Sequence, residues 1–300
     1  HPALGVHLPE GIKLLKFDKF VESFKSTVDL IVLGISSKGI EWASDQLSKI
    51  AKDKKLPNIL MLTKGLSIHE NKYELLVDKV KRLLTLKGVI NLNISAVGGP
   101  CLAAGLANRI HSSVVIANED IITAKTIADM LNTNYYHTSS SDDLNGVEVS
   151  AAIKNIFSMA VGAAKGMSSK NASNEIREKN YLNTASALIK QSIYEMEIFV
   201  EHLKGKKETV KGLAGLGDLY VSSGGGRNAK MGSYIGEGLT FSKAKKTKME
   251  KVTVEGADLV IEIGKKVKQD FDEKKLPLMI GMIDAILEDK KLDLKWDLFR

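Results

Sequence analysis

The sequence predicts an α/β chain, a doubly wound parallel sheet covered by helices and followed by an all-α region. Three observations carry this. As far as about residue 140, short β-branched runs alternate with amphipathic stretches, the pattern of a parallel sheet with helices on its faces. Beyond the polar stretch SSSDDLNG (139–146) strand signals fade and long helical periodicities take over. The 300 residues, 44% of them hydrophobic, suffice for one large or two ordinary domains. Two domains are expected, a sheet domain over 1–140 and a helical one over 141–300.

In the first region, LIVLGI at 30–35 reads as a buried strand, followed by a helix through Trp42 and Leu47. Residues 59–62 form a second strand, and 73–84 carry apolar residues at helical spacing. Strands follow at 92–97 and 114–117, then a helix at 121–131 and a closing strand at 135–138. In the second region, 147–167 is a helix built mostly of Ala, Ile, Val, Phe and Met. Residues 172–204 hold one or two more, and 255–268 and 278–288 are amphipathic helices. The stretch GLGDLYVSSGGGRNAKMG (215–232) is too rich in glycine for a stable helix or strand. It is expected to turn sharply or to approach something closely.

Composition narrows the function classes. No apolar run approaches the roughly 18 residues that span a bilayer. A single cysteine, Cys101, excludes an internal disulfide and fits a reducing compartment, so a cytoplasmic location is expected. The chain opens HPALGVHLPEG rather than with methionine, as a processed or truncated product would. The net charge of +7 comes largely from lysine, clustered at Lys243, Lys245, Lys246, Lys248 and Lys251. No aromatic interleaving or recognisable module accompanies them, so they read as solvated helix faces and not as a nucleic-acid site. A mild positive field favours anionic substrates. The six histidines show no metal spacing, no metal is expected, and His69, His111, His137 and His202 read as surface or polar-core residues. Ser222 and Ser223 lack a nearby histidine for activation.

Four places carry chemistry. GLAGLG (212–217) has the wrong glycine spacing for a dinucleotide finger and no strand before it. Arg227 and Asn228, after Gly224, Gly225 and Gly226, suit an oxyanion such as phosphate, or else form an ordinary solvated loop. Lys154, inside AAIKNIFSMAVGAA, either snorkels to solvent or is buried, in which case desolvation lowers its pKa and fits it for proton transfer. Asn155 beside it adds a fixed amide. Lys64, after ILMLT, sits either at the carboxyl end of a strand, where open α/β sheets bind ligands, or in solvent at a helix start. Gly98, Gly99 and Pro100 occupy the same sheet edge.

Taken together, TKG (63–65), GGP (98–100), GVEVSAAIKNIFSMAVGAAKG (146–166), GLAGLGDL (212–219), GGGRNAKMG (224–232) and VEG (254–256) resemble the NAD(P)-dependent glycerol-3-phosphate dehydrogenase family. They recur in that family's order over nearly the whole chain, about 5–287. The resemblance implies a Rossmann-like first domain and interconversion of sn-glycerol 3-phosphate and dihydroxyacetone phosphate, in glycerophospholipid metabolism, with NAD or NADP as cofactor. It implies Lys154 as general base and acid, Lys64 as a second catalytic lysine touching substrate and cofactor, and Asp218 as the carboxylate that positions them. Gly99, Asn155, Ser222, Gly226, Arg227 and Asn228 would bind substrate. Ile35, Ser36, Ala103, Arg227 and Glu255 would face the cofactor. A homodimer is likewise implied.

The sequence also departs from the family pattern. The family's first strand and G-x-G-x-x-G finger precede the segment resembling HPALGVHLP, and neither is present here. The sheet is therefore expected to lack that strand, and a bound pyrophosphate to lack the donors of the first helix N-terminus. The GGP motif continues CLAAGLAN where the family is more polar. Two other readings stay open: a dehydrogenase of another phosphorylated or carboxylated hydroxy compound, and a cofactor-deficient protein that only binds a phosphate ligand.

Overall fold

Runs of β-branched and aliphatic residues bounded by turn residues build the strands of the first half, and long alanine-, isoleucine- and methionine-rich stretches build the helices of the second. The computed structural model describes residues 4–24, 28–51, 56–168 and 174–300, and the side chains of 174–179 lie outside the description. In chain order the elements are α1 (Phe20–Ser23), β1 (Leu30–Leu33), α2 (Ile40–Ile50), β2 (Asn58–Met61), β3 (Leu66–His69) and β4 (Lys72–Leu75). They continue with α3 (Leu76–Leu86), β5 (Ile94–Gly98), α4 (Ala103–Ala107), β6 (Ser112–Ala117), α5 (Ile121–Leu131) and β7 (Tyr136–Ser141). The helices α6 (Leu144–Ser168), α7 (Asn174–His202), α8 (Lys207–Val210), α9 (Asp218–Ser223), α10 (Arg227–Gly236), α11 (Phe241–Lys248), α12 (Glu255–Asp270) and α13 (Pro277–Leu287) complete it, with a π-helical turn, Leu213–Gly217, leading into α9.

The chain divides into two units, one of residues 1–64, 76–97 and 101–144 and the other of 65–75, 98–100 and 145–300. In the first, the sheet order is β1-β2-β5-β6-β7. The pairs β1–β2, β2–β5 and β6–β7 run parallel, with Leu30 opposite Asn58, Ile59 opposite Ile94 and Ser112 opposite Tyr136. Ile59, Leu60 and Met61 are all buried in succession, as strands covered on both faces require. The helices turn one apolar stripe inward: Ile40, Ala43 and Leu47 on α2, Val77, Val80 and Leu84 on α3. Asp120 caps α5 by accepting from the backbone N–H of Ile122 and Thr123 at 3.2 and 3.1 Å.

The second unit is organised around α6. By length and composition α6 is apolar enough to cross a membrane, contrary to the sequence expectation that no run comes near that length, and its apolar window is wholly buried inside the protein. Ile153, Ile156, Phe157, Met159 and Ala160 have no exposed surface. Isoleucine, alanine and glycine on all faces of one helix suit a position surrounded by other helices. Against α6, the helix α10 lies in backbone contact. A Cβ added to Gly162 would stand 2.5 Å from Ala229 Cα, and one on Gly232 or Gly236 would overlap the carbonyl oxygens of Met159 and Ala163. Glycine here permits close approach.

Further sequence expectations are corrected. The stretch 215–232 is not a non-helical turn: it runs from the π-helical turn through α9 into α10. Its glycines are spent partly on interhelical contact, where burial against α6 outweighs the roughly 1 kcal/mol lost per helical glycine. Second, 73–84 is not one helix. Tyr73 lies in β4, which pairs antiparallel with β3 around Glu70 and Asn71, both left-handed at φ 48° and 59°; the helix begins at Leu76. The sequence ENK offers the asparagine such a turn needs, but the apolar spacing of the following helix masked it. The helix α4 and the short α8 were not foreseen. Lys245 is not simply solvated either: its Nζ donates to the carbonyls of Met249, Glu250 and Val252 at 2.7–3.0 Å and closes the end of α11.

One buried acid is held by a helix start. Glu195, fully buried on α7, accepts from the backbone N–H of Leu278 and Met279, each at 2.7 Å, and from Gln191 Nε2 at 2.9 Å. Burial pushes its pKa from 4.5 up to about 7, against the opposing pull of these three donors.

Replacing Gly232 by alanine forces α10 away from α6. Urea unfolding is expected to show a loss of about 1–3 kcal/mol, as for other overpacked cores. The folded protein binds a proton at Glu195 that the unfolded chain releases between pH 4.5 and about 7, so this group costs stability as pH rises through that window. Unfolding measured at pH 5 and pH 8 should therefore show wild type losing ground to Glu195→Gln at the higher pH.

Candidate active site

Lys154 sits in the middle of α6, and its neighbours one turn away, Ser150, Ala151, Phe157 and Ser158, are all buried. Its side chain has no route along the helix to water. Lys154 is 6% exposed, which removes the snorkelling alternative. A buried ammonium needs an opposite charge and hydrogen-bond acceptors. The first residue of α9 provides the charge: Lys154 Nζ donates to Asp218 Oδ1 at 2.7 Å, and Asp218 is 4% exposed. One helical turn further, Ser222 Oγ accepts from the same Nζ at 2.6 Å and stands 3.3 Å from Asp218 Oδ1. Residues i and i+4 share a helix face, so the four-residue interval in DLYVS is what aims both oxygens at one amine. The π-helical turn that delivers Asp218 is pressed against α8, where a Cβ on Gly215 would overlap the Val210 carbonyl oxygen.

A second chain of contacts runs alongside. Asn228, the second residue of α10 and 5% exposed, donates from Nδ2 to Asn155 Oδ1 at 3.0 Å, and its Oδ1 accepts from the backbone N–H of Gly256 at 3.0 Å. Asn228 thus ties α6 to the first turn of α12. Beside it, Arg227 Nη2 donates to Glu255 Oε1 in an ion pair whose side chains are about half exposed. The half-exposed guanidinium of Arg227 thus stands at the N-terminus of α10, which opens at Gly226, a combination of charge and backbone donors that suits an anion. One hydrogen bond, Asn155 to Asn228, separates it from Lys154 in the connectivity. Gly99, in the same unit, has φ 124°, a left-handed conformation that needs glycine.

The remaining sequence-predicted positions lie in the sheet unit. Ile35 and Ser36 follow β1, and Thr63 and Lys64 follow β2, with Thr63 Oγ1 donating to the Ile35 carbonyl at 2.6 Å. Ala103 opens α4, beyond β5. Since β1, β2 and β5 are parallel, all five residues follow the carboxyl ends of adjacent strands, the edge where open α/β sheets hold nucleotides. No G-x-G-x-x-G finger occurs in the 300 residues to grip a pyrophosphate, and Arg227 is the one cation among the expected cofactor contacts of the helical unit. Among the described residues no group of three or more His, Cys, Asp and Glu could hold a metal ion.

Sequence reasoning took Arg227 and Asn228 together as an oxyanion turn and named Glu255 apart, and missed that Glu255 and Gly256 at the start of α12 are their partners. The sequence VEG (254–256) held the only signal, a glycine directly after a carboxylate at a helix start.

A parallel-sheet unit with ligand positions at its strand ends, joined to a helical unit with a buried lysine–carboxylate pair, defines the class of two-domain nicotinamide-dependent dehydrogenases. The chain belongs to the NAD-dependent glycerol-3-phosphate dehydrogenase family: residues 4–124 match the family's N-terminus and 143–294 its C-terminus. It is 28% identical over 260 residues to the NADP(+)-dependent glycerol-3-phosphate dehydrogenase of Archaeoglobus fulgidus, covering 87% of this chain and 72% of the relative. It is 31% identical over 278 residues to the glycerol-3-phosphate dehydrogenase [NAD(P)+] of Mesoplasma florum, covering 88% and 78%. The fold is similar to the crystal structure of glycerol-3-phosphate dehydrogenase from Coxiella burnetii, with a TM-score of 0.74 at 23% identity over 94% of this chain and 79% of that one.

Asn228→Ala removes both amide contacts and leaves the Gly256 N–H buried without its acceptor. A loss of about 1–3 kcal/mol in unfolding free energy is expected, measurable by urea denaturation.

Proposed function

We propose that this protein interconverts sn-glycerol 3-phosphate and dihydroxyacetone phosphate with NAD or NADP. The observation that carries the reading is the buried Lys154–Asp218 pair standing one side-chain contact from the anion-binding corner of Arg227. Bound NAD(P) supplies the two-electron exchange, as hydride, at carbon 2 of the substrate. The chain's own residues supply the proton and the grip. In the direction of reduction, Lys154 Nζ gives a proton to the carbonyl oxygen as negative charge develops there, and in oxidation it takes the hydroxyl proton back. Asp218 and Ser222 fix the amine in one orientation, so that no reorganisation is needed when charge develops.

Gly226, Arg227 and the start of α10 hold the phosphate, while Asn228 holds Asn155 beside the reacting oxygen. Glu255 occupies Arg227 in the structure described here, and an arriving phosphate takes over the charge-assisted bonds of the guanidinium. Lys64, with Ile35, Ser36 and Ala103, forms the cofactor-side edge, and Lys64 serves as the second catalytic lysine. Gly99 lets the ligand approach backbone. The sheet unit takes the cofactor and the helical unit the substrate, and we assign the protein to the cytoplasm as a homodimer.

The test is oxidation of NADH or NADPH driven by dihydroxyacetone phosphate. Lys154→Ala is expected to lower kcat by roughly 10²–10⁴-fold, the range for loss of a general acid–base. Absence of turnover with either cofactor in the wild-type protein overturns the reading. Arg227→Ala removes charge-assisted bonds of about 1.5–3 kcal/mol, so kcat/KM for the phosphorylated substrate should fall by more than about tenfold. A variant with unchanged kcat/KM places the phosphate elsewhere.

A further inference from the structure

Away from the dehydrogenase residues, two imidazoles meet on the outer strands of the sheet unit. His111 immediately precedes β6 and His137 is the second residue of β7. His111 Nδ1 and His137 Nε2 are 2.9 Å apart. The ring planes differ by 6° and the centroids are 5.2 Å apart. Nitrogens that close rule out face-to-face stacking: the rings lie edge to edge, with the two nitrogens facing one another between them. Both side chains are exposed. The backbone fixes their spacing, since the Ser112 N–H donates to the Tyr135 carbonyl at 2.9 Å and Ser113 stands opposite His137. His111 and His137 are therefore diagonal neighbours on one face of the β6–β7 pair. In the neutral pair only one of the facing nitrogens carries the proton, and the other presents its lone pair to it.

We propose that His111 and His137 form a surface site for a tetragonal divalent transition ion, Cu2+ or Ni2+, in which the ion takes the place of the shared proton and that proton moves, through exchange with water, to the outer nitrogen of the same ring, so that both imidazoles bind as neutral ligands. With metal–imidazole bonds of about 2.0–2.1 Å, nitrogens 2.9 Å apart subtend roughly a right angle at the metal. That is the angle between adjacent ligands of a square-planar or octahedral ion. A tetrahedral zinc site needs its nitrogens further apart and more protein ligands. Both lone pairs meet at one ion once the rings swing outward from head-on alignment, a movement open to two exposed side chains. Water completes the coordination, because no third His, Cys, Asp or Glu joins the pair among the described residues. The bound ion cross-links the last two strands of the sheet order β1-β2-β5-β6-β7, so binding is coupled to the stability of that edge.

The test titrates Cu2+ into the full chain, following the electron paramagnetic resonance spectrum and the melting temperature. Wild type is expected to show coupling to two imidazole nitrogens and a rise in Tm. His111→Ala and His137→Ala should each weaken binding at least tenfold and abolish the Tm rise. His69→Ala should change neither. Equal affinity and equal Tm shift in wild type and both pair variants overturn the proposal, as does the absence of a Tm rise in wild type. Retention of the far-ultraviolet circular dichroism spectrum shows that the surface variants remain folded.

Discussion

The arrangement of the helical unit depends on one electrostatic constraint: an ammonium group buried in the middle of its longest apolar helix. Lys154 has lost nearly all contact with water, and the cost of that desolvation is met by Asp218 and Ser222 at 2.7 and 2.6 Å. Neither partner is local in sequence. They are delivered by α9, which must reach α6 at one height and one rotation for the contacts to form. The glycine-rich turns before and after α9 follow from this requirement. Gly215 lets the chain press against α8, and Gly232 and Gly236 let α10 lie on α6 with backbones touching. Distances set at those glycines decide where Arg227 and Asn228 begin.

The same constraint links stability to chemistry. A proton donor useful to a carbonyl oxygen must be sequestered from bulk water, and sequestering it would destabilise the fold without a carboxylate. The Asn155–Asn228–Gly256 contacts extend the arrangement outward from the amine to the first turn of α12. There Glu255 and Arg227 form a partly solvated ion pair. An exposed pair of this kind contributes little to stability, which is why it can be given up to a ligand. The buried pair cannot. On the proposed function, the site combines a fixed interior that handles the proton with an exchangeable rim that receives an anion.

Much of this was legible in the sequence, for reasons that differ by element. The strand at β2 and the helix α5 were readable because a continuous apolar run and apolar residues at helical spacing leave few alternatives. Lys154 stood out because no other charged residue lies at helical spacing around it, although periodicity alone could not decide between snorkelling and burial. That decision required knowing that other helices cover all sides of α6. The hairpin β3–β4 was hidden because Tyr73, Leu75 and Leu76 continue the apolar phase of α3, and the left-handed Glu70 and Asn71 were the only counter-signal. The helix α9 and the turn before it were missed because glycine lowers helix propensity locally while permitting interhelical contact that a single segment does not reveal. The pairing of Arg227 with Glu255 depends on two helix starts meeting 28 residues apart, which neither segment encodes by itself.

The most direct test of the central claim is a double-mutant cycle on the buried pair, comparing the unfolding free energies of wild type, Lys154→Met, Asp218→Leu and the double variant. Removing one partner of a buried pair strands the other charge, at a cost of about 3–5 kcal/mol, whereas replacing both by apolar groups of similar size is often neutral or stabilising. The account predicts that each single variant is less stable than the double variant, with turnover lost in all three. Additive destabilisation in the double variant, with no coupling between the two positions, would contradict it.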